Sequence, residues 1–199
     1  MPKTTFYNLS DEKKKRIFDA AVLEFSSRRF SDASINQIIK NAGIPKGSFY
    51  QYFADKEDIY LYMVGEISKD IHEIVGNQQI FNSNDSFFET IMRRAKGTIK
   101  LGKTRPEYAK IGALTVIDDS EFLAQLLRTS NEKYIEIIER DKQRGLIRPE
   151  IDSKVVITMV YIFIFNEYLY SGFDETQYLK KVEAAIQILK QGIAINQDN

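Results

Sequence analysis

Residues 34–56 read SINQIIKNAGIPKGSFYQYFADK, and this stretch predicts two short helices joined by a glycine turn. Ser34, followed three positions later by Gln37, predicts a capping box that starts a helix at Ser34. Gly43 suits the left-handed residue that ends a helix, and Pro45 suits the first turn of the next one. Two short helices in this order form the sequence pattern of a helix-turn-helix.

The second of these helices is predicted to have one buried face and one polar face. Phe49 and Phe53 are four residues apart and are expected to point inward. The outward face is predicted to carry Lys46, Ser48, Gln51 and Tyr52. Serine, lysine and glutamine can bond base edges, and tyrosine and lysine can bond phosphates, so this face favours DNA binding. An ordinary helical hairpin within a core is the alternative interpretation.

The same residues resemble a known family. The run GIPKGSFYQYF at 43–53, followed by DKEDI at 55–59, is similar to the tetracycline-repressor (TetR) family of bacterial transcriptional regulators. Chain length and motif position agree with that family. The motif covers about the first quarter of the chain, and beyond it only the all-helical layout matches, because the second domain of this family diverges freely.

The resemblance implies roles for particular residues. Ser34 and Asn36 occupy the start of the supporting helix, where members touch phosphate and sometimes a base. The resemblance places Lys46, Gly47 and Ser48 at base-contacting positions, and Tyr50, Tyr52 and Lys56 at phosphate-contacting ones. The resemblance implies no particular residue at the position of Gln51, which completes the expected DNA-binding set. At the position of Phe49, leucine is commoner in the family.

Composition indicates a single cytoplasmic chain. Its 199 residues, 43% of them hydrophobic, suffice for a sizeable core, and the absence of cysteine excludes disulfides and thiolate metal sites. Residues 1–16 have no apolar segment of signal-peptide length. Net charge is zero, although residues 1–60 hold ten basic and eight acidic side chains. So weak a basic excess is expected to hold DNA only through a dimer with several phosphate contacts.

The helical pattern predicts an all-α fold with two domains. Ser10 caps a first helix with an apolar stripe, and Asp55 caps a fourth helix that links the two domains. The turn-forming residues 76–85 mark the boundary. We therefore expect a three-helix DNA-binding domain at 1–54, a linking helix at about 55–76, and a helical effector-binding and dimerisation domain at 77–199.

Five further helices are predicted, at 86–102, 106–117, 120–144, 153–171 and 175–192. The segment 155–170 is rich in β-branched and aromatic residues, which would suit a strand, but sixteen residues are too many for an ordinary strand. It is also too short, and interrupted by Glu167, for a membrane span. A helix this apolar must be covered on nearly all sides.

A second subunit is predicted to provide part of that cover. In the family that the motif resembles, the last two long helices pair with their equivalents in a four-helix interface. We therefore expect a homodimer through the helices at about 153–171 and 175–192. Two-fold symmetry would also set two recognition helices on successive major grooves of a palindromic operator.

The resemblance also implies a ligand pocket in the second domain. Its expected occupant is a small, mainly apolar or aromatic effector of unidentified structure. Its candidate lining residues are apolar or aromatic positions of the second domain, with core packing as the alternative for each. They are Phe87, Phe88, Met92, Tyr108, Ile111, Leu114, Tyr134, Ile138, Phe163 and Tyr170, with Asn131, Asn166 or Glu167 as orienting polar groups.

The residue composition does not favour an enzyme, a metal site or a bound cofactor. His72 is the only histidine, is expected at the surface, and has no cysteine or second histidine with which to form a metal or nucleophile site. Two functions therefore compete: a ligand-responsive DNA-binding regulator, most simply a repressor, and an all-helical protein–protein interaction module that does not read DNA sequence.

Overall fold

The computed structural model describes residues 1–75, 84–170 and 174–193, and this part of the chain consists of α-helices without a β-strand. The helices are α1 (Thr4–Tyr7), α2 (Asp11–Ser27), α3 (Ile35–Ala42), α4 (Lys46–Tyr52), α5 (Lys56–Val75), α6 (Phe87–Thr104), α7 (Pro106–Val116), α8 (Glu121–Gln143), α9 (Ser153–Tyr170) and α10 (Glu175–Ile193). The all-α prediction is confirmed, and the five predicted helices of the second half agree with the observed ones to within two residues.

Local capping chemistry explains several of these helix ends. The Ser10 hydroxyl accepts from the Lys13 backbone N–H at 3.4 Å, and the Asp55 carboxylate accepts from the Asp58 N–H at 2.8 Å. At α6, a full capping box joins Ser86 and Glu89. Gly43 ends α3 in the left-handed conformation, with φ of 63°.

The predicted capping box at Ser34 is wrong. Ser34 is the N-cap residue of α3, but its side chain makes no capping bond and Gln37 instead donates to Asn41 at 3.0 Å. The Ser34 backbone N–H donates to a carboxylate oxygen of the buried Glu24, at 2.8 Å. Because α2 supplies this acceptor, the start of α3 is fixed by tertiary contact and the Ser34 hydroxyl takes no part in the cap.

The helix α1 was not predicted from the sequence. It packs against α4, and its Phe6 is buried against Phe53 with ring centroids 5.1 Å apart. The Lys3 backbone N–H also donates to the Tyr52 carbonyl at 2.8 Å. Four residues are too few to show a helical period, so only tertiary packing fixes this element.

The segment 155–170 lies within α9 and is helical, as predicted. Its inner face packs on α7 and α8, and the crossing with α6 is close enough that Gly102 is required. A Cβ atom at Gly102 would lie 2.4 Å from the ring of Tyr168. The predicted boundary at 76–85 lies outside the described residues except for its last two positions, and so does the side chain of His72.

The apolar core of the first four helices continues into the second half of the chain. One buried cluster contains Phe25, Phe49 and Ile59 from α2, α4 and α5, together with Tyr108 and Ile111 from α7. A second cluster fills the space between α6, α8, α9 and α10. The helix α7 belongs to both regions, because it packs on α2 on one side and on α6 and α9 on the other.

The described residues contain neither a helix able to cross a membrane nor a cluster of three metal-ligating side chains.

Candidate nucleic-acid interface and ligand cavity

The helix α4 has a buried aromatic underside and an exposed polar face. Phe49 is fully buried and packs on Phe53, with ring centroids 5.5 Å apart. On the outer side Lys46, Gly47 and Gln51 are exposed, Tyr50 is 44% exposed and Ser48 is half-buried. Ser34 and Asn36, at the start of α3, are also exposed. The inward prediction for Phe49 and Phe53 is confirmed, and these polar groups lie where a groove could be read.

The prediction that Tyr52 lies on the exposed face is wrong. Tyr52 is only 5% exposed, and its ring packs edge-on against Phe6 with centroids 6.2 Å apart. Tyr52 follows Phe49 by three residues, so the two share a helix face, and α1 covers that face. The Tyr52 hydroxyl accepts a hydrogen bond from the Lys13 ammonium at 3.1 Å.

Lys56 also differs from the expected phosphate-contacting role. Its ammonium donates to the backbone carbonyls of Phe30 at 2.6 Å, Ser31 at 3.2 Å and Ala33 at 3.1 Å. It also lies 4.7 Å from the centroid of the Phe30 ring. An ammonium has three donors, and here all three are used within the protein. Lys56 therefore fastens the connection between α2 and α3 to the start of α5.

The basic residues of α2 and its C-terminal end are partly paired with carboxylates. Lys15 lies 2.7 Å from Asp19, and Arg29 lies 3.1 Å from Asp32. The hydrogen bond and charge of Asp32 raise the pKa of the Arg29 guanidinium. Exposed ion pairs of this kind contribute little stability, so a phosphate can replace the carboxylate at small cost.

A cavity of about 340 Å³ lies between α5, α6, α7, α8 and α9. Its walls are apolar and aromatic with scattered hydroxyl groups, a composition typical of small-molecule sites. They include Tyr60, Val64, Ile67, Ser68, Arg94, Thr98, Tyr108, Ile111, Gly112, Leu126, Ser130, Tyr134, Tyr161 and Phe165.

Two tyrosine hydroxyls at this cavity, those of Tyr60 and Tyr108, remain protonated at neutral pH. Burial raises the pKa of Tyr60 to about 12, although its hydrogen bond with Thr115 at 2.7 Å acts in the opposite direction. Burial also raises the pKa of Tyr108, as does the carboxylate of Asp70, which accepts from the Tyr108 hydroxyl at 2.6 Å. These tyrosines tie the cavity wall on α7 to the linking helix α5.

The structure brings only part of the predicted pocket together. Tyr108, Ile111 and Tyr134 line the cavity. The other candidates lie elsewhere: Phe87, Phe88 and Ile138 are buried in the second core cluster, and Met92, Leu114 and Asn131 are half-buried outside the lining. Phe163 and Asn166 border a groove on the outer side of α9, Glu167 pairs with Lys181 at 2.8 Å, and Tyr170 is 77% exposed.

Helix phase explains these differences. The cavity-facing residues of α9 are Tyr161 and Phe165, and Phe163 and Tyr170 point the other way. An all-round apolar helix gives no sequence signal for which side faces inward. Sequence reasoning also missed Arg94, although a signal existed: Arg94 falls three residues after Ile91 and four before Thr98, on the buried stripe of α6.

The outer side of α9 and α10 presents a continuous apolar surface. Met159 is 57% exposed and Ile188 is 70% exposed, and with Ile162, Phe163 and Leu189 they border a groove of about 500 Å³. The exposed apolar residues of α9 are Val155, Met159, Ile162, Phe163, Leu169 and Tyr170. A surface of this size on a helix pair is typical of an interaction site.

Direct contacts join the cavity region to the helix-turn-helix. The Asp118 carboxylate, just after α7, accepts from the Ser31 backbone N–H at 2.8 Å. Phe122 of α8 packs on Phe30 with ring centroids 4.9 Å apart. Tyr60, which lines the cavity, lies 5.2 Å from the same Phe30 ring. A shift of α7 or α8 at the cavity would therefore move the residues that connect α2 and α3.

Known proteins similar to this chain share the helix-turn-helix and the all-helical body. The family profile described as bacterial regulatory proteins, tetR family, matches residues 17–63. The uncharacterized HTH-type transcriptional regulator YdgC of Bacillus subtilis (strain 168) is 24% identical over 147 residues, which cover 73% of each chain.

Solved structures extend the likeness over nearly the whole chain. A TetR family transcriptional regulator from Chloroflexus aurantiacus J-10-FL is 26% identical, with a TM-score of 0.66 over 98% of this chain and 100% of that one. FadR from Bacillus subtilis, solved in complex with stearoyl-CoA, is 19% identical, with a TM-score of 0.60 over 90% of this chain and 99% of that one. These proteins are described as transcriptional regulators, which agrees with the prediction that this chain is not an enzyme.

Proposed function

We propose that this chain is a bacterial DNA-binding transcriptional regulator of the TetR family and that it acts as an effector-responsive repressor in the cytoplasm. In this proposal a homodimer binds a palindromic operator, and a small, mainly apolar molecule in the cavity releases it. Residues 1–54 form the DNA-binding domain, residues 55–76 the link, and residues 77–199 the effector-binding and dimerisation domain.

The observation that carries the proposal is the two-sided character of α4. Its underside is anchored by the fully buried Phe49, whereas Lys46, Tyr50 and Gln51 remain exposed on the outer side. A rigid helix with short polar side chains suits the major groove, where each base pair has its own donor and acceptor pattern. We assign base contacts to Lys46, Gly47, Ser48 and Gln51, and phosphate contacts to Ser34, Asn36 and Tyr50.

Tyr52 and Lys56 take supporting roles in this revised set. Tyr52 is buried, and the three donors of the Lys56 ammonium are used by backbone carbonyls. Two cations lie beside α4: the Lys13 ammonium donates to the Tyr52 hydroxyl, and the Lys3 ammonium donates to the Tyr50 carbonyl at 2.8 Å. Tyr52 and Lys56 therefore position the recognition helix without themselves reaching the DNA.

Dimerisation through α9 and α10 is supported by their exposed apolar surface. Burying residues such as Met159, Ile162 and Ile188 against a second copy removes them from water at roughly 25 cal/mol per Å². A two-fold axis presents the same surface twice, so one patch is sufficient for both partners. Because the chain has no net charge, it also needs two DNA-binding domains to make enough phosphate contacts.

Release by an effector follows from the position of α7. Tyr108 and Ile111 of α7 line the cavity and also belong to the core that contains the DNA-binding helices. An effector that fits the cavity in only one position of α7 shifts the dimer toward the corresponding arrangement of its two DNA-binding domains. Operator DNA that fits a different arrangement of these domains opposes the shift. Effector and operator must then weaken each other by the same factor.

Selection of bound duplexes from a randomised DNA library tests the DNA-binding part. The expected product is a palindrome whose half-site centres lie about 10 base pairs, or a multiple of that, apart. Ser48→Ala is expected to change the selected bases, whereas Tyr50→Ala should weaken binding to all sequences alike. A library that returns no preferred sequence would favour the interaction-module interpretation.

Sedimentation at micromolar concentration tests the dimer. The wild-type chain is expected to sediment as a dimer, and Ile162→Glu, on the exposed face of α9, as a monomer. Thr129→Glu changes an exposed position on α8 and is the matched control. A monomeric wild type, or a dimer unaffected by Ile162→Glu, would contradict the assigned interface.

A further inference from the structure

Arg94 is the one charged side chain in the lining of the cavity, as far as the described residues define it. Its guanidinium carbon lies 5.6 Å from the ring centroid of Tyr161 and 5.9 Å from that of Phe165. Both rings line the same cavity, as does Tyr134, which interacts with the guanidinium through a hydrogen bond. The charge of Arg94 therefore lies among the cavity-forming side chains.

No carboxylate neutralises this charge within the described part of the chain. The Arg94 Nε is buried and has no hydrogen-bond partner, and none of the cavity-lining residues is acidic. Asp70 is engaged by the Tyr108 hydroxyl at 2.6 Å. The neighbouring Arg93, in contrast, pairs with Asp85. Arg94 as a whole is half-buried, but a guanidinium with a buried donor and no counter-ion is costly, and aromatic faces offset only part of that cost.

We propose that the effector is an amphipathic monocarboxylate whose acidic group pairs with Arg94 while its apolar part fills the cavity. This inference rests on the proposed function, because it names the chemical class of that effector. A planar guanidinium binds a carboxylate through two parallel hydrogen bonds, and the unpartnered Nε is one of the two donors such a pair uses. A single guanidinium neutralises one negative charge, so a phosphate dianion would bury a second charge without a partner.

The cavity volume limits the size of the apolar part. At about 30 Å³ for each water-sized group, 340 Å³ holds roughly eleven non-hydrogen atoms. Decanoate and trans-cinnamate are carboxylates of about this size, one aliphatic and one aromatic. Their primary amides have the same shape without the charge, and they are therefore the matched probes.

Isothermal titration calorimetry of the full-length protein with these four compounds tests the proposal. At least one acid is expected to bind about ten- to hundredfold tighter than its amide, because a charge-assisted hydrogen bond is stronger than a neutral one. Arg94→Met should abolish this preference and bind acid and amide alike. Arg128→Met, which removes an exposed arginine of α8, should leave the preference intact.

Arg94→Lys keeps the charge without the planar pair of donors. It is expected to retain a preference for the acid over the amide, smaller than that of the wild type. This variant also keeps the test decisive if Arg94→Met fails to fold. A wild type that binds neither acid, or binds acid and amide equally, overturns the proposal, as does an Arg94→Met variant that still prefers the acid.

DNA binding separates this inference from the proposed function. If decanoate or trans-cinnamate binds through Arg94 but leaves the affinity for DNA unchanged, the anion site stands and release by the effector is wrong. If the protein binds no specific DNA, the repressor proposal fails, while the calorimetric preference for the acid still supports the site.

Discussion

Replacing Lys56 with methionine tests whether this lysine holds the protein together or holds DNA. The change removes the donor to the carbonyls of Phe30, Ser31 and Ala33, at 2.6, 3.2 and 3.1 Å, and keeps most of the side-chain volume. Hydrogen bonds to a charged group contribute about 1.5–3 kcal/mol, and water can replace part of this bonding where the carbonyls are accessible. We therefore expect Lys56→Met to lose about 2–3 kcal/mol of unfolding free energy, or about 5–10 °C in melting temperature.

Lys46→Met is the matched comparison, because Lys46 is exposed on α4 and makes none of these bonds. Its stability in urea denaturation should equal that of the wild type. Its affinity for operator DNA should fall and its base preference should change, because Lys46 is assigned a base contact. The slope of log affinity against log salt reports the number of phosphate contacts, so this slope should change little. Lys56→Met, measured below its melting temperature, should retain the wild-type slope.

A Lys56→Met protein as stable as the wild type, with a salt slope shallower by about 2 because the dimer has lost two cationic contacts, would mean that the ammonium contacts phosphate. It would also mean that the three carbonyls gain nothing from it.

Three further changes test the packing around the site. Gly102→Ala should cost about 1–3 kcal/mol of unfolding free energy in urea denaturation, because its Cβ would meet the buried Tyr168 ring at 2.4 Å. Gly65→Ala is the control and should be neutral or stabilising, because open space surrounds Gly65. Equal effects of the two changes would contradict the close crossing of α6 and α9. Asp141→Ala should cost about 3–5 kcal/mol, since Asp141 is fully buried and accepts the first backbone N–H of α6 as well as two guanidinium groups, and Asp141→Asn should cost less. The backbone hydrogen bond at the start of α6 lowers the pKa of Glu89, so this carboxylate stabilises the fold above its ordinary pKa and loses that effect as pH falls through the lowered value. Thermal melts of Glu89→Gln should therefore differ from wild type at pH 7 and converge with it in acid; a difference that persists in acid would argue against this origin.

Most of the helical layout could be predicted because its signals are local. Ser10, Asp55 and Gly43 act within a few residues of their own positions, and the structure shows each in its predicted cap or turn. The start of α3 could not be predicted in the same way. Its Ser34 N–H is satisfied by Glu24 of another helix, and sequence spacing does not reveal that contact.

The candidate site was predictable only where a helix has two clearly different faces. The amphipathic α4 identified Phe49 as inward and Lys46 as outward, but Tyr52 depends on α1, which is too short to leave a pattern. The uniformly apolar α9 did not reveal which of its aromatic residues face the cavity. The informative signal was a charged residue on an apolar stripe, at Arg94.

The proposed function requires this protein to recognise a DNA sequence as a dimer. Fluorescence anisotropy at physiological salt should compare two labelled duplexes: the region upstream of the protein's own coding sequence, and a shuffled duplex of equal length and composition. We expect binding at least about 10³-fold tighter to the upstream region. Equal affinity for the two duplexes would contradict it.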